Sequence, residues 1–99
     1  MRPVLAVDLI CAARAVLSVP VTERLSTAQT LLFAAEAADW HRRHTGEMHP
    51  HFGDGTLAAA ALQAPMADER PLCDREMAAA LIVVLQMIIQ RTSGDRSRS

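Results

Sequence analysis

The chain contains no lysine and no tyrosine, a single tryptophan and only two phenylalanines. Its ten basic residues are therefore all arginine, set against eleven acidic ones. A net charge of −1 lacks the basic footprint with which nucleic-acid binders neutralise phosphates, so no nucleic acid is expected as a partner. The exclusive use of arginine reads as genomic base-composition bias rather than as a binding surface. Cysteine is scarce as well. Cys11 and Cys73 are far apart and neither belongs to a CxxC pair, which fits two small apolar side chains in a reducing compartment. Long hydrophobic runs are missing too. The most apolar stretch, residues 77–89, is interrupted by Gln86 and falls short of the roughly 20 residues a membrane span needs. Near the start, Asp8 and Arg14 break the apolar pattern before a signal-peptide core forms. These absences point to the cytoplasm and away from a membrane partner.

What is present is alanine and helical spacing. With 99 residues, 51% of them hydrophobic, the chain can close one core but not two. A core with so few bulky side chains needs backbones packed close together. Small residues on helix faces allow that, whereas β-branched and aromatic residues are sparse outside the last apolar stretch. The fold class is all-α: a small four-helix domain with one short helix, spanning residues 1–92, followed by a disordered Arg/Ser/Gly/Asp tail at 93–99.

The first helix is expected over residues 8–18, with Asp8 in its first turn and Val19-Pro20 ending it. The second opens near Thr22 as N-cap and runs to Thr45, where Gly46 supplies the left-handed stop. The third covers residues 56–64, capped by Asp54 or Thr56 and stopped by Pro65. The fourth covers residues 74–92, with Asp74 as N-cap and Arg91 near the negative end of its dipole. Two linkers, residues 47–55 and 65–73, join these helices.

On a helical wheel the fourth helix is apolar nearly all round, so it must be buried nearly all round. Met77, Leu81, Val84, Leu85, Ile88 and Ile89 form its broad face. Three short companions cover one side. The rest requires a central position in the bundle or a second chain. The helix is placed centrally, with the flank of Ala80, Val83 and Met87 as the candidate interface of a homodimer.

The second helix changes character halfway. Leu25 and Leu32 mark its apolar face, but the same face continues into Glu36, Asp39 and Arg43. Asp39 and Arg43 stand at i,i+4 in the favourable order for an ion pair. The helix either outruns the core or forms one wall of a cleft floored by Trp40 and covered by the loop after Gly46. The candidate ligand-binding residues are Glu36, Asp39, Trp40, Arg43 and His49. All four histidines lie between His41 and His51, which invites a metal reading. The spacing is poor, no cysteine is near, and Arg42 and Arg43 oppose a cation, so neither a metal site nor any other cofactor is assigned. His49, before Pro50, is expected to pin the loop, and Met48 and Phe52 to turn inward. Gly53-Asp54-Gly55-Thr56 leads into a helix but lacks the lysine and the preceding strand of a phosphate-binding loop. No serine, threonine or cysteine sits in a nucleophile setting, so no catalytic residue is assigned.

The run His49-Pro50-His51-Phe52-Gly53-Asp54-Gly55-Thr56-Leu57, with the opening Met-Arg-Pro-Val-Leu and Val19-Pro20, resembles a family of short alphaproteobacterial helical proteins of uncharacterised function. Its shared element is a His-Pro-x-aromatic-Gly-x-Gly-Ser/Thr-Leu run. The resemblance implies a bacterial cytoplasmic protein and carries over no catalytic residue. Together these features suggest a self-associating protein-interaction module; the alternative is a small-ligand or metal-binding regulatory domain built on the second helix and the His-rich loop. A DNA-binding helix-turn-helix is disfavoured, because neither of the first two helices shows a basic recognition face.

Overall fold

Four helices form where the apolar spacing places them, and each boundary has a local cause. The computed structural model describes the backbone of residues 1–98 and the side chains of residues 1–91. Helix α1 (Ala6–Leu17) starts two residues before Asp8 because that carboxylate reaches back: its Oδ2 accepts the Leu5 N–H at 2.8 Å. The acid thus satisfies a donor that the helix itself leaves unpaired. Helix α2 (Arg24–Thr45) begins later than residue 22, since Val21–Glu23 form a 3-10 turn that contains Thr22. Gly46 closes α2 at φ 75°, donating its N–H to the Arg42 carbonyl at 2.8 Å.

Helix α3 (Leu57–Ala61) is shorter than the span 56–64 expected for it. Thr56 caps it, accepting the Ala59 N–H at 3.2 Å, while Asp54 Oδ1 accepts the Thr56 hydroxyl at 2.7 Å. Helix α4 (Arg75–Arg98) is capped by Asp74, whose Oδ2 accepts the Met77 N–H at 3.0 Å. The disordered tail expected at residues 93–99 lies outside the residues described in full. Among the described residues no strand forms; His49 and Gly53 make one isolated antiparallel bridge.

Helices α1 and α2 each pack against all three other helices, whereas among the described residues α4 packs on α1 and α2 but not on α3. The C-terminal helix is therefore a side of the bundle, not its centre. Alanine makes this possible: Ala12, Ala13, Ala15, Ala28, Ala35 and Ala80 are fully buried and let helix backbones approach. Val16, Leu32, Leu57, Met77 and Val84 are the largest side chains sealed inside. The linker before α4 is fastened to α1 at Arg14, whose Nε donates to the Ala67 carbonyl at 2.8 Å. The Ala67 N–H returns a bond to the Arg14 carbonyl at 3.0 Å.

The wheel of α4 is rotated from its sequence-based reading. Met77, Ala80, Val84 and Met87 face the core, while Ile82, Leu85 and Ile89 point outward. Ala80 and Met87 are thus buried within the chain's own bundle, with Val83 half-buried beside them. Ala80 and Met87, expected at the interface, are instead covered by the chain's own helices. The slim positions win the core because α4 approaches two helices at once, and only small or flexible side chains fit that close approach.

Candidate functional site

The polar half of α2 does not outrun the core, because the opening residues and the loop after Gly46 fold back over it. Asp39 is only 5% exposed. Its Oδ2 lies 3.3 Å from the Met1 ammonium and 3.2 Å from Arg43 Nη2, and its Oδ1 lies 3.3 Å from Arg42 Nη2. Burial raises the carboxyl pKa, but the hydrogen bond and charge of the ammonium, with Arg42 and Arg43, outweigh it. The group is held below its ordinary value. The expected Asp39–Arg43 pair is formed, within a larger cluster. Arg2 joins the same layer by donating its backbone N–H to the Gly55 carbonyl at 3.0 Å.

Glu36 faces a different way. It pairs with Arg91 of α4, binding the two helices together across the bundle. Beside this pair, Phe33, Glu36, Trp40, His41 and His49 line an open cavity of about 510 Å³ together with Arg91. Trp40 is exposed and stacks on His44, with ring centroids 4.1 Å apart. The five candidate ligand-binding residues therefore separate into two groups. Glu36, Trp40 and His49 share a cavity; Arg43, itself exposed, pairs with the buried Asp39. The division follows from helix geometry, since Asp39 turns toward the core and Trp40 lies 100° round the axis from it.

His49 pins its loop through a specific bond pattern. Its Nδ1 accepts the backbone N–H of His51 at 3.0 Å and of Phe52 at 3.1 Å. A nitrogen that accepts two N–H groups carries no proton, so the neutral ring holds its proton on Nε2. Burial, followed by the charges of His41 and His51, lowers the pKa of His49. Phe52 stacks on the same ring, centroids 4.6 Å apart and planes 13° apart, and is half-buried against the core. Met48 does not turn inward; it is 63% exposed. The tight bridge between His49 and Gly53 leaves the preceding residue outside the fold-back.

Among the described residues, no three His, Cys, Asp or Glu side chains gather into a group able to hold a metal ion. The His41 and His49 rings approach edge to face at 5.1 Å, and no carboxylate completes a set with them. Three features escaped sequence reasoning. Asp8 reaches Ala58, fifty residues away, with its Oδ1 accepting that N–H at 2.9 Å. Arg42 turns inward beside Asp39, and Arg91 crosses to Glu36. A polar residue at an inward helical position was the available signal for Arg42; the contacts of Asp8 and Arg91 are decided by tertiary packing.

A family model described as a domain of unknown function, DUF7742, matches residues 2–88, and the chain belongs to that family. The match takes in all of α1, α2 and α3 and most of α4. No curated protein and no solved structure matches the chain.

Proposed function

From that membership, we propose that the chain is a cytoplasmic bacterial protein-interaction module that pairs with a second copy of itself through α4. One observation carries this reading: Ile82 and Ile89, 55% and 61% exposed, form with Leu85 an outward apolar stripe on a helix whose core face is already satisfied. No charged residue occurs between Met77 and Arg91. A two-fold pairing of this stripe with itself sets no like charges against each other, which favours a copy of the same chain as occupant. Phe33 and Leu25 are exposed as well, on α2, which packs against α4. Two free cysteines, one of them exposed, and the absence among the described residues of any helix long and apolar enough to cross a membrane support the cytoplasmic assignment.

The test is oligomeric state by light scattering. At tens of micromolar the protein should have twice its chain mass of 10.7 kDa, and Ile82→Glu or Ile89→Glu should return it to a folded monomer. A monomeric wild type overturns the proposal. Val83→Glu is unsuited to this purpose, because Val83 packs against the core and a charge there disturbs the fold.

A second reading, a small-ligand regulatory domain, draws on the cavity where Glu36, Trp40 and His49 meet. Trp40 is the chain's only indole and lines that cavity, so its fluorescence reports occupancy. A screen of small polar metabolites that yields a saturable Trp40 signal, lost in His49→Ala, supports this reading. A screen without such a signal removes it.

A further inference from the structure

A different cavity, of about 580 Å³, opens between the chain's first residues, the start of α1 and the end of α2. It involves none of the α4 surface, so its function is independent of the self-association above. We propose that it binds a monoanionic carboxylate on an apolar stem, of the size of a medium-chain fatty acid.

Leu5 and Val7 line it and are 65% and 59% exposed. Arg2 and Arg42 supply the polar side. The other polar groups in the wall are engaged. Asp8 is buried, with one oxygen on the Leu5 N–H and the other on the Ala58 N–H. Thr56 donates its hydroxyl to Asp54 and accepts the Ala59 N–H.

The guanidinium groups are not used up. Arg42 gives Nη2 to Asp39 and keeps 34% of its side chain exposed. Arg2 has one long contact, 3.7 Å, to Asp54. The hydrogen-bonding capacity that Arg2 and Arg42 bring to the wall is donor-only. Its complement is an acceptor-only group, and a carboxylate matches the planar fork of arginine. The nearby Asp8 carboxylate disfavours a dianion, and the aliphatic rim calls for an apolar stem. The cavity lies within the usual range for small-molecule sites.

The experiment titrates the ¹⁵N-labelled protein with octanoate and follows backbone amide shifts. The expected result is saturable binding, with the largest shifts at Leu5, Val7 and Thr56. Octylamine, with the same stem and opposite charge, should leave them unmoved. Arg42→Gln should weaken octanoate at least about tenfold, as the loss of a charge-assisted bond implies. Because Arg42 also supports Asp39, Val7→Asp is the second variant. It alters only an exposed rim residue, should leave the amide spectrum of the fold intact, and should abolish binding. Absence of saturation by about 10 mM octanoate overturns the proposal. Equal binding of octylamine also overturns it, since this reports unspecific apolar contact. Tighter binding of N-acetyl-leucine than of octanoate overturns the free acid as ligand and reassigns the site to a peptide C-terminus.

Discussion

Gly55 stands directly against Asp39: a Cβ on Gly55 would lie 2.9 Å from both the Cα and the Cβ of the aspartate. Its φ of 97° is closed to other residues as well. This contact lets the loop seal the buried carboxylate, and only hydrogen fits between the two. Gly55→Ala should therefore destabilise the fold by about 3 kcal/mol, combining overpacking with backbone strain. Gly46 shares a positive φ but has open space around it, so Gly46→Ala should cost only about 1 kcal/mol. Urea denaturation of the two variants checks the contrast, and equal losses would show that the loop does not press on α2.

Asp39 should matter more than a surface ion pair does. Replacing it by Asn removes the negative charge that Arg42 and Arg43 share and one of its two acceptor oxygens, at an expected loss of about 2 kcal/mol, measured by denaturation at neutral pH. The sign of its pH dependence follows from the lowered pKa. The carboxylate's contribution is present above its unfolded value of 3.8 and is lost as pH falls through the lower folded value. Asp39→Asn should flatten the acid limb below about pH 4, a limb that Asp54 and Asp74 share in the same direction.

His49 titrates in a separate window. Its pKa is lowered from 6.5, so as pH falls the unfolded chain takes up the proton first. The stabilisation is complete above about pH 6.5 and is lost as pH drops through the folded value. Protonated Nδ1 can no longer accept the His51 and Phe52 N–H groups, so the 49–53 turn should loosen in mildly acidic buffer. His49→Asn keeps an acceptor oxygen near the Nδ1 position without a titrating group. It should remove the stability change below about pH 6.5, and an unchanged profile would dissociate His49 from it.

Phe52 anchors the loop from a half-buried position, between the His49 ring and the core. Truncation to Ala should cost about 1–2 kcal/mol, less than the 3–5 kcal/mol typical of a sealed aromatic. Met48→Ala, at an exposed site, should change stability by less than about 0.5 kcal/mol. Parallel urea titrations would reverse this assignment if Met48→Ala were the costlier variant.

The helices themselves were legible in the sequence because their signals are local. Gly46 after Thr45 and Asp74 before Arg75 each act within one turn, so cap and spacing alone placed them and narrowed the cap of α3 to Asp54 or Thr56. The pairing of Asp39 with Arg43 was legible for the same reason, four residues along one helix face. Tertiary structure decided the rest. Apolar residues surround α4 almost completely, so nothing in its own sequence could say that Ala80 and Met87 face inward and Ile82 and Ile89 outward. That choice belongs to the close approach of α1 and α2. The separation of Glu36 from Asp39 has the same origin. Both are acids on one polar half-helix, but Arg91 draws one to α4 while the chain's first residues and Gly55 bury the other, and those partners lie far away along the chain.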